Sequence, residues 1–326
     1  MKKLFKFIPI LLISLSTLQS CNDDGENLPA PYEPEEPTTN TIVDVAVGAE
    51  NLTTLVAALQ KADLVTTLAS QGPFTVLAPS NEAFNTFLID NGFSSLDDVP
   101  VDVLTNILLN HVVGGRLAST DLTTGYASTF ALSSASQASM SIFIDTSNGV
   151  KFNGLSSVSA ADISADNGIV HIVDAVIGLP SVVTFAVADP TFSTLVAALT
   201  RDDLTTDFVG ILSTATGTSP APFTVFAPTN DAFGSLLIEL VIAGLADIDE
   251  PTLDAVLKNH VVAGANVFDT DLTDNMTVTT LGGDITANVT GGATLTDSSG
   301  RIIDIIATNV QADNGVIHAI NRVILP

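Results

Sequence analysis

Apolar residues recur at helical spacing at the start of two long segments of the chain. The spacing i, i+3, i+4, i+7 is found at Leu52, Leu55, Val56 and Leu59, and part of it returns at Leu195, Val196 and Leu199. Such spacing places apolar side chains on one face of an α-helix. Each segment is therefore predicted to begin with an amphipathic helix that packs against a core.

A short strand followed by a second helix is predicted next. Residues 74–78 are apolar or β-branched, and Pro79 ends the run because proline cannot donate to a strand ladder. Ser80 or Asn81 can cap the helix that follows, and residues 229–231 offer the same chemistry in the second segment.

A third helix is predicted to end beside a histidine. Leu104, Ile107, Leu108 and His111 lie at helical spacing, and His260 follows a similar pattern in the second segment. Valines and a glycine follow each histidine, which favours the end of the helix there.

Short strands joined by tight turns are predicted for the rest of each segment. Turn residues cluster at Gly291-Gly292 and at residues 297–300. Each segment closes with an Asn-Gly pair, Asn167-Gly168 or Asn314-Gly315, and then an apolar strand. Asn-Gly is typical of a type I′ turn, so a I′ hairpin into a buried strand is expected at both places.

The two segments are copies of one unit. Residues 74–84 return at 223–233, at an offset of 149, whereas Leu55 and Leu195 are 140 apart. A unit of this length can bury its own core, so two domains are predicted, at residues 41–180 and 181–326. Almost no linker separates them, which predicts a semi-rigid pair. The increase in offset is attributed to a surface loop at residues 213–222.

Residues 1–20 are typical of a signal peptide, with early lysines and an apolar run directly before Cys21. The residues before Cys21 resemble a bacterial lipobox, which predicts lipid attachment at this cysteine. The alternative is an ordinary secretory signal with an incidental cysteine. Since Cys21 is the only cysteine, intramolecular disulfides and cysteine metal clusters are excluded. Residues 21–40 are polar and rich in proline, which predicts a disordered tether.

The chain is strongly acidic. It has 36 acidic and 10 basic residues, and three of the basic ones precede Cys21, so the mature chain carries a net charge of 7 − 36 = −29. Nucleic acid and anionic lipid are therefore poor partners. Solubility explains this charge, with a cation-binding role as the alternative. The expected location is the bacterial cell envelope, lipid-anchored at the outer membrane and exposed at the surface, with the lipid as the only membrane contact.

These residues, in this order, resemble the fasciclin domain family, known as FAS1. Its motifs are a Phe-Thr-Val-Phe-Ala-Pro-(Thr/Ser)-Asn-x-Ala-Phe segment, a central Tyr-His pair and a closing Asn-Gly-Val-Ile-His strand. Both copies carry them, except that Asn110 and Asn259 replace the tyrosine. The resemblance implies the α+β fold class, with two tandem fasciclin-like domains, each a β-sandwich wedge flanked by α-helices.

Several motif residues are candidates for a site. Those expected to be structural are Thr75, Asn81, His171, Thr224, Asn230 and His318. The two histidines among them share strand faces with apolar residues, so their replacement by alanine should lower stability. Core packing and a family-derived adhesion site are both open for the central pairs, Asn110, His111, Asn259 and His260. Replacing both asparagines by alanine is expected to leave stability nearly unchanged.

Sequence motifs for catalysis or metal binding are missing. The chain has no nucleophile elbow, phosphate-binding glycine loop or His-Glu-x-x-His helix. The segment from Asp269 resembles a calcium loop, but its sixth position is Asp274, where glycine is needed. No enzyme activity, cofactor or metal is therefore predicted.

The resemblance implies cell-cell or cell-matrix adhesion by a non-catalytic lipoprotein, with cell-surface or matrix proteins as partners. The alternative is an accessory protein of nutrient uptake that captures polysaccharide or another polymer. Sugar-binding surfaces usually use exposed aromatic rings, but the chain has no tryptophan, and Tyr126 is the only tyrosine beyond the tether.

Overall fold

The proline-ended strand of each copy lies inside a β-sheet, as the apolar run at residues 74–78 predicts. A computed structural model describes residues 40–326. The predicted signal peptide, Cys21 and the tether up to residue 39 lie outside the described residues.

The helices and strands follow one another in the same order in the two copies. The first contains α1 (Ile42–Val47), α2 (Thr53–Lys61), α3 (Val65–Ala69), β1 (Phe74–Pro79), α4 (Asn81–Asp90), α5 (Val101–Asn110), β2 (Val112–Gly114), β3 (Gly125–Leu132), β4 (Ser139–Asp145), β5 (Lys151–Phe152), β6 (Ser156–Ala165) and β7 (Gly168–Val173). The second contains α6 (Val182–Ala188), α7 (Ser193–Leu199), α8 (Phe208–Leu212), β8 (Phe223–Pro228), α9 (Asn230–Leu240), α10 (Glu250–Lys258), β9 (Val261–Ala263), β10 (Met276–Thr279), β11 (Asp284–Asn288), β12 (Thr294–Thr296), β13 (Ile302–Ala312) and β14 (Gly315–Ile320). Short 3-10 turns lie at Glu50–Leu52, Leu96–Asp98, Pro190–Phe192, Leu245–Asp247 and Asp269–Asp271.

The helices of residues 40–326 include none that could cross a membrane alone. Only α6 combined with the turn and helix after it reaches the required length and apolar composition, and that pair is bent by 94°.

The strands of the first copy close into a barrel in chain order, β1 to β7. In the second copy the order is β10-β11-β12-β13-β14-β8-β9. The first and last strands of each copy pair in parallel, with Thr75 opposite Ile169 and Thr224 opposite Val316. Their other neighbours are antiparallel. Each copy is thus an α+β domain, as expected.

Two apolar cores lie on opposite sides of the central strands. Because side chains alternate along a strand, Val76 and Ala78 of β1 face the helices, whereas Leu77 faces the barrel interior. In β8, Ala227 faces the helices and Phe226 the other core. The amphipathic helices predicted from the sequence cover the side that Val76, Ala78 and Ala227 face.

The predicted type I′ turn at the Asn-Gly pairs is wrong. Ala165 pairs directly with Gly168, so the loop residues are Asp166 and Asn167, and neither has a positive φ. A type I′ turn needs positive φ at both central residues.

A close approach between strands explains the glycine instead. A Cβ atom at Gly168 would lie 2.1 Å from the carbonyl oxygen of Phe74 on the parallel strand β1. At Gly315 the corresponding distance, to the carbonyl oxygen of Phe223, is 2.3 Å. Any side chain at these positions would push the first and last strands of the domain apart.

The offset between the copies also increases in two places, not one. Asn167 donates a hydrogen bond to the carbonyl of Leu68, and Asn314 donates one to that of Leu212. These equivalent leucines are 144 residues apart, so four residues are inserted before α8 and five in the loop at 213–222. The surface loop predicted at residues 213–222 therefore accounts for only part of the change.

Strand β4 joins the two domains, because one of its faces is buried in the first domain and the other in the second. Ile142 and Ile144 point into the barrel of the first domain, whereas Phe143 belongs to the helix-side core of the second. On the same face, the Ser141 hydroxyl accepts a hydrogen bond from the Gln311 backbone N–H at 3.0 Å.

The turn between β3 and β4 adds polar contacts to this interface. The Ser133 hydroxyl donates to the carbonyl of Ala312 at 2.7 Å, and the Ser134 N–H donates to the Asp313 carboxylate at 2.9 Å. The equivalent turn of the second copy is eight residues shorter. Before the turn, Thr129 matches Thr280, at an offset of 151 residues. After the turn, Ile142 matches Ile285, at an offset of only 143 residues.

Tyr126 completes the interface. Its ring packs edge-on against Phe185, with centroids 5.5 Å apart, and its hydroxyl donates to Asp189 at 3.0 Å. In the second domain the positions of Tyr126 and Phe143 are taken by Thr277 and Thr286, which pair across β10 and β11. The sheet face that carries Tyr126 and Phe143 contacts the second domain, and the equivalent face of the second domain is polar.

We predict that Phe143→Ala lowers the free energy of unfolding by about 3–5 kcal/mol, because it removes a ring buried between the domains. Thr286→Ala, the matched change in the second domain, should cost less than about 0.5 kcal/mol. Urea denaturation of the two variants and the parent protein measures both. Equal losses would contradict the interface.

The end of α9 contains a strained residue. Val241 has φ 55° and is 89% exposed, whereas the equivalent residue after α4 is Gly92, with φ 72°. A β-branched residue is disfavoured in the left-handed region, which glycine adopts without steric strain.

Val241→Gly is accordingly expected to stabilise the protein by about 0.5–1 kcal/mol, net of the extra chain entropy of glycine. Gly92→Val should have the opposite sign. Thermal melting distinguishes the two, and a fall in melting temperature for Val241→Gly would refute the strain.

Candidate functional site

The motif threonine of each copy connects its strand to a loop. The Thr75 hydroxyl donates to the carbonyl of Gly115 at 2.8 Å and accepts from the N–H of Leu117 at 2.9 Å. The Thr224 hydroxyl makes the same pair of bonds, to Ala265 and from Val267. Both threonines are buried, and their hydroxyl groups bond within the domain.

The motif asparagine holds the second helix of its domain. Ser80 caps α4, which leaves the Asn81 side chain free to accept from the N–H of Thr54 at 2.8 Å and to donate to the carbonyl of Glu50 at 3.0 Å. Asn230 bonds in the same way to Thr194 and Pro190. The sequence left Ser80 and Asn81 as alternative N-caps of α4, and Ser80 is the cap.

The asparagine of each Asn-Gly pair ties three elements together. The Asn167 side chain accepts a hydrogen bond from the N–H of Ile42, at the start of α1. It donates to the carbonyl of Leu68, in the last turn of α3, and to that of Ser70, directly after this helix. Asn314 bonds equivalently to Val182, Leu212 and Thr214. Sequence reasoning missed this role, since it assigned the pair to turn geometry alone.

The histidines of the last strands, His171 and His318, are buried and hydrogen-bonded. In His171, Nε2 donates to the carbonyl of Leu117 at 2.9 Å and Nδ1 accepts from the N–H of Asp162 at 3.2 Å. His318 bonds similarly to Val267 and Asn309 and stacks on Phe226. Burial lowers the pKa of His318.

The histidines of the central pairs are each 2% exposed. Nε2 of His111 accepts from the N–H of Ile177 at 2.9 Å, so Nδ1 carries the proton and donates to the carbonyl of Ile107 at 2.8 Å. His260 has the same arrangement between Ile324 and Val256. Because both ring nitrogens are used, neither imidazole can bind a metal or a partner without breaking these bonds.

Desolvation lowers the pKa of His111 and of His260 to about 4. For His260, the nearby Arg301 guanidinium acts in the same direction. Both imidazoles are therefore neutral at physiological pH, and they link the end of the histidine-bearing helix to the chain that follows the last strand.

Asn110 is also buried, and the structure removes the basis for expecting its replacement to be neutral. Its amide donates to the carbonyl of Gly178 at 3.0 Å and accepts from the Thr129 hydroxyl at 3.2 Å. Asn259 accepts from Thr280 and donates to Ala255. Loss of either side chain would leave buried polar groups unpaired, so both alanine variants should be destabilised.

None of the four residues of the central pairs lies on the surface of the folded domains. Nor do residues 40–326 contain a group of three or more His, Cys, Asp or Glu side chains placed to hold a metal ion. The repeated motifs thus form hydrogen bonds within the core of each domain.

Exposed apolar side chains are among those available to a partner. Exposed apolar residues recur at equivalent places in both copies, at Val47 and Val187 and at Ile89 and Ile238. Sequence reasoning missed them because it searched for polar and aromatic motifs. The signal was present: these apolar residues repeat at offsets of 140 and 149 but lie outside the core faces of their helices.

Several cations are used within the fold. The Lys61 ammonium donates to the carbonyls of Leu96 and Val99, both at 2.7 Å, and Arg201 does the same for Leu245 and Ile248. Residues 40–326 contain 30 acidic and seven basic residues, a net charge of 7 − 30 = −23. The surface is therefore strongly negative.

We predict that stability falls as the pH is lowered from 6.5 to 5. The native pKa of His111 and His260 lies below the unfolded value of about 6.5, so the unfolded chain binds more protons in this window. The free energy of unfolding should fall by about 2 kcal/mol per histidine, measured by urea denaturation at each pH. His111→Gln should reduce the slope by the share of one histidine, and a pH-independent parent would contradict the assignment.

Comparison with known proteins agrees with this geometry. The fasciclin domain matches residues 50–180 and 190–326. Protein sll1483 of Synechocystis is 40% identical over 138 residues, which cover 42% of this chain and 72% of that protein. Transforming growth factor-beta-induced protein ig-h3 of Sus scrofa is 30% identical over 257 residues, 78% of this chain and 35% of its own length.

A solved structure has the same fold. It is a FAS1 domain pair from the insect cell adhesion molecule Fasciclin I, with a TM-score of 0.52, 20% identity, and coverage of 85% of this chain and 97% of that one. Twice in succession, then, this chain carries the motifs, the strand order and the buried hydrogen bonds described above, and it belongs to the fasciclin domain family.

Proposed function

We propose that this protein is a non-catalytic adhesion protein of the bacterial cell envelope, which presents its two domains as one rigid unit to cell-surface or matrix proteins. The observation that carries the proposal is the interface around β4. Since Phe143 of one domain lies in the core of the other, the pair offers a single surface with fixed geometry.

The family supports adhesion over catalysis. Fasciclin domains are known in adhesion proteins, and the solved pair with this fold comes from a cell adhesion molecule. In this chain the motif histidines are buried inside the domains, which leaves partner binding to the outer surface.

The two recurring isoleucines are the proposed contacts. Ile89 and Ile238 occupy the same place on α4 and α9, and both are exposed. Equivalent contacts on two rigidly joined domains would bind a repeated or multivalent partner with greater avidity than either alone. The acidic surface favours partners with basic residues.

Membrane attachment is proposed to occur through lipid on Cys21, with the tether holding the domains away from the outer membrane. A flexible tether of this length spans about 25 Å on average. Such an anchor would retain the protein on the cell while both domains reach a neighbouring surface.

A deletion strain tests the proposal through attachment of intact cells to surfaces and to one another. Cells would be restored with the native gene, with Cys21→Ala, or with Ile89→Ser combined with Ile238→Ser. As a matched control, Leu155→Ser with Ile302→Ser removes two exposed apolar side chains at unrelated positions. Each form would be checked for folding and for its amount in the envelope.

We expect attachment to be lost in the deletion strain and restored by the native gene and by the control variant. Cys21→Ala and the isoleucine pair should each fail to restore it. Normal attachment of the deletion strain would overturn the adhesion proposal, and full restoration by the isoleucine pair would overturn the proposed contacts.

Polymer capture is the second candidate, and one observation favours it. An open cleft of about 460 Å³ lies between α5 and the β3–β4 turn, where polar and apolar side chains mix. Its walls include Asp102, Asn106, Gln137 and Leu132. Saturable binding of a polysaccharide by the purified protein, lost on Asn106→Ala, would favour capture over adhesion.

A further inference from the structure

The second domain contains an apolar cavity that the functional proposal does not use. It has a volume of about 100 Å³ and lies between α6, α7 and α8 on one side and β8 and β14 on the other. Its walls include Val182, Ala186, Leu199, Leu212 and Ile317. The one hydroxyl among its lining residues, that of Thr200, donates to the carbonyl of Val196 and so is already bonded.

The same compartment in the first domain is nearly filled. There the volume is about 10 Å³, although equivalent helices and strands form the walls. One difference is Ile42 of α1, which is replaced by the smaller Val182 in α6. Another is the four-residue insertion between α7 and α8, which changes the connection to the wall formed by α8.

An empty apolar cavity of this size is unfavourable. The loss of stability grows with cavity volume, because the lining atoms lack contacts on one side. Water is a poor occupant, since an ordered water needs two to four polar partners, and the walls offer none. An apolar guest gains contacts without losing hydrogen bonds.

The cavity is accessible from the surface. Val187 of α6 lines it and is 66% exposed, and Val183, one turn earlier, is partly exposed. A molecule can therefore insert an apolar end while its remainder stays in solvent. The net charge of −23 over residues 40–326 disfavours an anionic head group.

We propose that the second domain binds the apolar end of a small neutral or cationic molecule in this cavity. The inserted group is a phenyl ring or the last few carbons of an alkyl chain. A dry cavity of roughly 150 Å³ lined by Leu, Ile and Phe side chains is known to accept benzene. This binding is independent of adhesion, because the cavity lies beneath α6 rather than on the surface of α4 or α9.

Benzene is the probe, and NMR of labelled valine, leucine, isoleucine and alanine methyl groups in the purified full-length protein is the measurement. We expect saturable shifts confined to methyls lining the cavity, such as those of Val182, Ala186 and Leu199, and a raised melting temperature. Methyls of the equivalent compartment in the first domain, such as that of Ala46, should not shift.

Two matched variants separate binding from general effects. Ala186→Leu fills the cavity, so it should abolish the benzene shifts while the melting temperature stays the same or rises. Ala46→Leu places the same side chain in the nearly filled compartment, so it should lower the melting temperature and leave benzene binding to the second domain intact.

The proposal is overturned if benzene gives no saturable shift in the parent protein, or if the shifts persist unchanged in Ala186→Leu. Equal shifts in both domains would also overturn it. A negative result here leaves the attachment phenotype unaffected, so the two proposals fail separately.

Discussion

The turn at Asp313, Asn314 and Gly315 is the point on which the arrangement of the two domains depends. The Asn314 side chain fixes the start of α6 and the end of α8, and Gly315 permits β14 to approach β8. Asp313 donates its N–H to the carbonyl of Pro180 at 2.7 Å and receives Ser134 of the first domain on its carboxylate. One turn thus holds a domain together and attaches it to its neighbour.

The equivalent turn of the first domain shows what is shared and what is specific. Asn167 and Gly168 make the same internal contacts, and the Asp166 N–H donates to the carbonyl of Asn40 at 2.8 Å, as Asp313 does to Pro180. There the Arg116 guanidinium donates to the carbonyls of Ala165 and Gly168. In the second domain the amide of Gln311 bonds to the equivalent carbonyls, beside Ser133 of its neighbour.

Much of this fold could be predicted from the sequence, because the relevant signals are local. Helices with a clear apolar period, the proline-ended strands and the turn clusters all lie where their residues indicate. The Asn-Gly turn was assigned wrongly because the side chain of Asn167 bonds to α1 and α3, which are distant in sequence. The double burial of β4 was also hidden, since Phe143 looks like any alternating strand residue until the second domain is in place.

The candidate site was harder to predict for the same reason. Repetition of His111 and His260 reflects equivalent hydrogen bonds inside two domains, and a repeated residue gives no indication of whether it is buried. Exposed apolar residues such as Ile89 and Ile238 belong to no polar or aromatic motif, so a search for such motifs did not find them.

Backbone 15N relaxation of the purified protein tests the central claim, that the two domains form one rigid unit, most directly. The account predicts a single overall correlation time, shared by amides of both domains and appropriate to the whole of residues 40–326. Two shorter, independent correlation times would show that the domains reorient separately, and would contradict the account.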